Sequence, residues 1–409
     1  MPPSMPPEIT DAIISGVALD DYWNSPRPSR SHTLAMCALV CRSWLPRSRA
    51  ELFGVFYIEH ERTYDLLVER VVRSQETMLS PYLASVNSLD LSGSGSDQLS
   101  QAARLFFVEF AGKLPGLRTL DVYRIDFSHQ RPSVKWPLLL SQFRTITSLS
   151  LWHCEFSSFN DVRRLLTALP LLSTLLISWL TWPTVPHEMH LQTTPRPRTY
   201  WPELHELRIW NLPPQCAAVF LRWITAALEG SPVKVLVCDL SGLPSTGSSR
   251  EAVDAFVGRV WPSVTDLDIH IIDGRPLLGF TALKHLILRE CHDYRGNWED
   301  VASVLQGISS NMIEYIGIYD ISTLKRRSGP ESDNDATLHF EHDTLEEIDR
   351  VLPCEPFRSL QEVVFNVYAE DEDKKELLRA HARRCLPELH KRKLLRLHID
   401  NRLQRLDVD

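Results

Sequence analysis

Along most of the chain one arrangement of apolar and polar positions returns: aliphatic-x-x-aliphatic-x-aliphatic. It begins at Val86 (VNSLDL), Leu117 (LRTLDV), Ile146 (ITSLSL), Leu172 (LSTLLI), Leu204 (LHELRI), Val233 (VKVLVC), Val264 (VTDLDI), Leu283 (LKHLIL), Ile313 (IEYIGI), Leu360 (LQEVVF) and Leu394 (LLRLHI). Most successive starts lie about 26 to 34 residues apart, with one step of about 19 and one of about 47. Alternation of this kind predicts a short strand with its aliphatics on one face. Between most strands the period changes to that of a helix. Leu99, Ala102, Ala103, Phe106, Phe107 and Phe110 form one apolar face, and Val162, Leu165, Leu166 and Leu169 another. Asn160 or Asp161 is placed to cap the second helix, and Pro170 to stop it. Ser248/Glu251, Asn297/Asp300 and Thr344/Glu347 have capping-box spacing, predicting further helices from Val253, Val301 and Leu345. Strand then helix, repeated at one period, predicts a βα solenoid rather than a doubly wound sheet of fewer strands.

The N-terminal part follows another rule. From Leu34 to Cys41 eight residues run without a charge, and as a helix they are apolar on every face. After Arg42-Ser43 come Trp44 and Leu45, and then Pro46, Arg47 and Arg49 lead to Leu52-Phe53 as a second short helix. A domain of about 50 residues covers too little of its own surface to enclose such a helix, so an external partner is expected on its flank.

These residues resemble the F-box, in the divergent fungal form with a Pro-Glu-Ile opening and an LVCRxW turn. The matching pieces are MPPEITDAII (Met5 to Ile14), ALVCRSW (Ala38 to Trp44) and LPRSRAELF (Leu45 to Phe53). The resemblance implies a three-helix module over residues 1–56 that docks a Skp-type linker protein and, through it, a cullin-based ubiquitin ligase. It places Pro6, Ile9, Leu39, Val40, Trp44, Leu45 and Leu52 where the family packs its helices or touches that linker. Met5 stands where the family has Leu, a volume-conserving change, and the insert Asp20 to Ser31 lengthens the first loop. An ordinary helical cap on a larger fold is the alternative. The strands of residues 57–409 look like long, intracellular leucine-rich repeats of irregular sequence. That family sets Asn or Cys five residues after the second aliphatic, where Cys154 and Cys291 fit, while Ile125, Leu180, Leu212 and Ile321 depart from it.

Together these readings predict an α/β chain: a small helical F-box followed by a curved βα leucine-rich-repeat solenoid with a parallel sheet on the order of 50 Å long. With helices on the outer side, the residues between and just after the aliphatics face the open side. They are Asp90, Asp121, Tyr123, Trp152, Arg208, Trp210, Asp268, His270, His285, Arg289 and Tyr319. Tyr, Trp and Arg dominate binding hot spots, so this row is the expected surface for an unknown protein target; the other reading is that its aromatics cover strand ends beneath loops. Polar or Pro-rich stretches interrupt the repeats at Ser128–Pro137, Thr181–Pro202, Ser241–Ser249 and Ser322–Phe340. The second of these carries Trp182, His187, His190, Tyr200 and Trp201, and is read as a loop with a gripping role or none.

Composition narrows the picture without changing it. The chain has 409 residues, 44% hydrophobic and 23% charged, with a net charge of −8, which argues against general nucleic-acid binding. Eight irregularly spaced cysteines and no basic-then-apolar leader point to a cytoplasmic or nuclear protein. No run reaches membrane-spanning length. Gly93-x-Gly95 sits between a strand and a helix with Asp121 further on, but Gln98 stands where a dinucleotide loop needs its third glycine. His187-Glu188-Met189-His190 and His339-x-x-His342 lack a third ligand, and Cys37 and Cys41, one helical turn apart, read as core thiols. The expectation is a non-enzyme with no cofactor and no metal: a ligase substrate receptor or, alternatively, a non-ligase leucine-rich-repeat interaction scaffold. The C-terminal Lys374 to Arg405 is rich in Lys and Arg and reads as a solvated capping helix or a basic patch.

Overall fold

The computed structural model describes residues 6–19, 27–73, 83–93, 105–128, 139, 141–183, 203–228, 232–239, 248–270, 277–289, 298–319, 342–368 and 372–400. The chain folds as two compact units, Met1–Glu203 and Leu204–Asp409. The first opens with helices α1 (Pro7–Leu19), α2 (Arg27–Val40) and α3 (Leu45–Leu52), followed by strand β1 (Val55–Ile58) and α4 (Glu61–Leu67). Strands β2 (Ser88–Ser92), β3 (Thr119–Tyr123), β4 (Asp126–Phe127), β5 (Ser148–Trp152), β6 (Glu155–Phe156) and β7 (Thr174–Ser178) complete it. The second unit holds β8 (Glu206–Trp210), β9 (Val235–Cys238), β10 (Asp266–His270), β11 (His285–Arg289), β12 (Tyr315–Tyr319), β13 (Glu362–Tyr368) and β14 (Leu395–Asp400). The protein is α/β. Within the first unit β1-β2-β3-β5-β7 form parallel ladders between chain-order neighbours. Within the second, β8 to β14 do the same. The two-residue strands β4 and β6 pair separately.

All eleven predicted strands are present, and β1 is a twelfth that the motif missed. Its sequence, VFYI, has strand-forming residues but not the spacing. Burial follows the expected alternation. In β2, Leu89 and Leu91 are buried while Ser88, Asp90 and Ser92 are partly accessible, and β3 and β8 repeat the pattern. Each of these three strands thus sinks one face into a core and leaves the other more open.

Between the strands, on and beside the helical turn 105–109, Phe106 meets Phe107 and Phe110 with ring centroids 5.5 and 5.0 Å apart, and Phe106 and Phe107 meet Phe143 at 5.8 and 5.9 Å. Leu99, Ala102 and Ala103 lie outside the described residues. Val162, Leu165, Leu166 and Leu169 are all buried. That helix runs Phe159–Thr167 with Ser158, not Asn160 or Asp161, at its N-cap position. Asp161 instead accepts the Ser157 and Ser158 hydroxyls at 2.6 and 2.8 Å, tying the entry loop to the first turn. The helices expected from Val253, Val301 and Leu345 start earlier, as Ser248–Val260, Trp298–Gln306 and His342–Val351. Near the C-terminus the helices Glu372–Cys385 and Pro387–Lys391 precede β14. The buried Asp349 accepts the backbone N–H groups of Glu388 and Leu389, both at 3.0 Å, and so satisfies the orphan donors of the second of these helices.

Strand exits share a geometry that the sequence hid. The residue just after β3, β5, β7 and β8 is left-handed: Arg124, His153, Trp179 and Asn211, at φ 49 to 53°. Arg and Trp seldom adopt that conformation. Neighbouring backbones hold it in place, Arg124 N–H donating to Trp152 O (2.8 Å) and His153 N–H to Ser178 O (2.9 Å). Gly93 occupies the corresponding place after β2, its N–H 2.7 Å from Tyr123 O. A Cβ there would stand 2.2 Å from Arg124 O. Close approach of two backbones thus accounts for this glycine; Gly95 and Gln98 lie outside the described residues. One step further on, Cys154 is fully buried, with Sγ 3.6 Å from Val122 O and 3.4 Å from Trp152 O. Burial pushes its thiol up to about 12, so it serves as a weak donor inside the turn. Cys291 lies outside the described residues.

Gly93→Ala is expected to destabilise the protein by about 1–3 kcal/mol, the usual cost of overpacking against atoms that cannot yield. Urea unfolding would measure it. An unchanged midpoint would mean that the β2 and β3 exits do not approach as described.

Candidate protein-interaction surfaces

The first surface lies on α1 and α2. Ile14 and Leu34 form a small buried core against which Val17, Trp44 and Leu52 pack. A polar clasp joins α1 to α3: Arg47 donates to the Ser15 hydroxyl at 2.7 Å and pairs with Glu51 at 2.6 Å. The opposite sides of α1 and α2 are apolar and in the open. Ile9 is 51% exposed, Ile13 43%, Met36 52%, Leu39 78% and Val40 62%. Ile9 and Ile13, like Met36 and Val40, are one turn apart and share a helix face.

The seven residues of the F-box resemblance therefore separate. Pro6, Ile9, Leu39 and Val40 are exposed, whereas Trp44, Leu45 and Leu52 are half-buried, Trp44 and Leu52 against the core. Two expectations need correction. The insert Asp20–Ser31 is not all loop, because α2 begins at Arg27. Cys37 and Cys41 are not core thiols, Cys37 being half-buried and Cys41 exposed. Cys37 lies one turn from the buried Leu34 yet is only half-buried, and Cys41 lies just past the end of the helix at Val40. The Cys41 thiol is 3.0 Å from the Ser43 hydroxyl, a contact that holds its pKa below the ordinary value.

The second surface is the open face of the first unit's sheet and its rim. Register sets Tyr57, Asp90, Asp121 and Ser150 on one rung of β1, β2, β3 and β5, and Ser92, Tyr123 and Trp152 on the next of β2, β3 and β5. Burial raises the pKa of the Asp121 carboxyl, and a hydrogen bond from Ser150 partly offsets the rise. Beyond the strand ends a stack forms: Tyr123 meets His153 edge-on at 5.7 Å, His153 lies parallel to Trp179 at 5.6 Å, and the Arg124 guanidinium sits 5.2 Å over Tyr123. Burial and the Arg124 charge lower the His153 pKa. His153, Trp179 and Arg124 were not predicted. They fall one or two residues beyond the inspected strand positions, and the left-handed exits bring them together.

The third surface is the open face of the second unit, where charges are matched by neighbours. Arg208 pairs with Glu206, His285 with Asp266, and Arg396 with Glu362. Arg289 grips Asp268 through two bonds of 2.8 and 2.9 Å and lies 5.3 Å over the Tyr319 ring. The Tyr319 and Tyr315 hydroxyls are 2.9 Å apart across Gly317, where a Cβ would come within 2.4 Å of Tyr319. His270 is half-buried beside Arg289 in register, and its Nδ1 atom is buried without a hydrogen-bond partner. Trp210 is half-buried at the end of β8. Of the predicted row, Asp268, Arg289 and Tyr319 thus form one network, which the Tyr315–Tyr319 bond extends to His285 and its partner Asp266. Arg208 and Trp210 share an open face in β8.

Among the described residues no group of three His, Cys, Asp or Glu side chains is arranged to hold a metal ion, and no helix is long and apolar enough to cross a membrane. His187, Glu188, Met189, His190, Tyr200, Trp201, Ile321 and His339 lie outside the described residues, as do most of the interrupting stretches. Compared with known families and curated proteins, the chain matches no family model and no curated relative.

The Asp268–Arg289 pair is partly shielded, at 14% and 33% side-chain exposure. A double-mutant cycle with Asp268→Asn and Arg289→Gln should give a coupling of about 1 kcal/mol by urea unfolding, the upper end for accessible pairs. Additive losses would show the two side chains to be independent in solution.

Proposed function

We propose that this protein is the substrate-recognition subunit of a Skp/cullin/F-box ubiquitin ligase working in the cytoplasm or nucleus. In this reading α1–α3 are the F-box and dock a Skp-type linker protein. The strands that follow form an irregular leucine-rich-repeat solenoid, and its open sheet faces hold a protein target while other subunits transfer ubiquitin. The observation that carries the reading is the pair of apolar helix faces with no cover: Ile9 and Ile13 on α1, and Met36, Leu39 and Val40 on α2. Leaving such side chains in water forgoes about 1.5–3 kcal/mol for each one that a partner would fully bury. Exposed apolar patches of this kind mark interaction sites. Trp44 and Leu52 support the reading from within, because they join the small core that holds the two faces in position.

The test uses the full-length chain. Leu39→Asp changes a residue that is 78% exposed, so its effect on folding should stay within about 0.5 kcal/mol, as for ordinary surface substitutions. In a docking interface the same charge would be buried unpaired. Capture of a purified Skp-type linker protein should therefore be lost while the thermal midpoint is unchanged. If the wild-type chain captures no linker protein under conditions where an established F-box protein does, the ligase reading fails and a non-ligase repeat scaffold replaces it.

A further inference from the structure

We propose that the outer edge of β14 receives an extended segment of a partner protein in which aliphatic and acidic residues alternate, so that the partner continues the second unit's sheet by one strand. The site stands apart from α1, α2 and the open sheet faces. It goes beyond the ligase reading and does not depend on it.

The backbone supplies the first observation. β14 pairs with β13 along one side, and among the described residues no strand lies along the other. Val363 N–H donates to Leu394 O at 2.8 Å. Backbone groups alternate sides along a strand, so those of Leu395 and Leu397 turn away from β13, to the outer edge. A row of this kind is a template for another strand.

The second observation is a loss of cover on the core side. Register sets Ile316, Val363 and Leu395 on one rung of β12, β13 and β14, and Ile318, Phe365 and Leu397 on a second. The β12 and β13 members are all buried, whereas Leu395 and Leu397 are half-buried. Aliphatic side chains on an added strand would cover them as β13 covers its own neighbours. The period of two then fixes the rest of that strand, because its alternate residues must lie on the open face beside Arg396 and His398. Both of these are exposed.

Charge selects what those alternate residues are. Lys391, Arg392 and Lys393 stand exposed on the approach to β14, and Arg396 follows within the strand. Two of these groups already have company: Lys391 lies 3.8 Å from the exposed Glu388, and Arg396 pairs with Glu362 at 2.7 Å. A guanidinium carries five N–H donors, so Arg396 can hold Glu362 and a second carboxylate together. Charged side chains along an edge bar apolar strands from pairing with it. Here they are of one sign, so they also bar a basic strand and admit an acidic one. A strand with no aliphatic residues would leave Leu395 and Leu397 uncovered. The chain as a whole, with its net charge of −8, repels acidic peptides, so attraction of one must come from this local patch.

The experiment is fluorescence anisotropy with full-length protein and four labelled ten-residue peptides: alternating Val-Glu, alternating Val-Lys, alternating Ser-Glu, and a block peptide with the valines first and the glutamates after. The alternating Val-Glu peptide should bind, and the other three should not. Arg396→Gln should weaken that binding about ten-fold, the loss of one charge-assisted contact. Arg250→Gln is the matched control, since Arg250 is likewise an exposed, ion-paired arginine of the second unit, and it should leave binding unchanged. Hydrogen exchange at residues 394–398 should slow when the Val-Glu peptide is added, while exchange at residues 248–260 should not change. No binding by wild type, equal binding of the block or Ser-Glu peptide, equal weakening by both variants, or protection elsewhere than β14 overturns the proposal. Binding of a labelled oligothymidylate that Arg396→Gln abolishes would make the patch a nucleic-acid site and overturn it too. Protection of residues 394–398 in the protein alone that fades on dilution would assign the edge to a second copy of the chain, with the same consequence. Capture of the Skp-type linker protein is measured in parallel and should survive Arg396→Gln, so failure of peptide binding and failure of the ligase reading are told apart.

Discussion

The structure rests on one backbone arrangement, repeated at nine strand entries among the described residues: a single carbonyl accepts two successive N–H groups at the start of the next strand. Gly54 O takes Asn87 and Ser88, Asn87 O takes Arg118 and Thr119, Arg118 O takes Thr147 and Ser148, and Thr147 O takes Ser173 and Thr174. In the second unit His205, Lys234, Thr265, Lys284 and Glu314 do the same. A carbonyl has two lone pairs, and using both locks the register of each new strand to the one before it. Because a one-residue slip would exchange core and open faces, every later property depends on this ladder. It brings Asp90 beside Asp121, Tyr123 beside Trp152, and Tyr315 beside His285.

The same ladder carries two chemically different open faces. In the second unit, acids and bases alternate on neighbouring strands and satisfy one another, and the Tyr315–Tyr319 pair closes over Gly317. Such a face is ordered before any partner arrives, which reduces the conformational entropy lost on binding. In the first unit the acids stand on strands that hold no Lys or Arg, and the aromatic residues continue past the strand ends into the stack of Tyr123, His153 and Trp179. That stack depends on left-handed backbone at His153 and Trp179, a conformation costing about 1–3 kcal/mol per residue that persists only where surroundings impose it. At His153 the imposing contact is its backbone hydrogen bond to Ser178 on the next strand.

The N-terminal helices obey a different constraint, that of size. Three short helices bury Ile14 and Leu34 and partly bury Val17, Trp44 and Leu52. They have too few residues to enclose both sides of two apolar helices. The inward and outward sides of α2 differ sharply, with Leu34 at 2% exposure and Leu39 at 78%. Five residues apart on one apolar run, they have opposite physical roles, and hydrophobicity alone does not distinguish them.

The amino-acid pattern by itself determined the positions of eleven strands, their buried faces and the apolar excess of α2. Each of these follows from local periodicity: two residues per strand repeat, 3.6 per helical turn, and a run too long for one face. Element boundaries were less legible. The helix at Phe159 is entered at Ser158, and α2 extends back into a stretch that reads as loop, because capping and helix entry depend on neighbours outside the window. Strand β1 lacked the motif altogether and is a strand because β2 offers it a partner. Only the tertiary structure decided which side chains meet. The pairing of Arg289 with Asp268, the left-handed exits at Arg124 and His153, and the opposition of Asp90 and Asp121 all join residues from different repeats or rest on contacts between them. A sequence pattern states which face a residue takes. Only register between strands states what stands next to it, and that register is set by backbone hydrogen bonds in which side-chain identity takes no part.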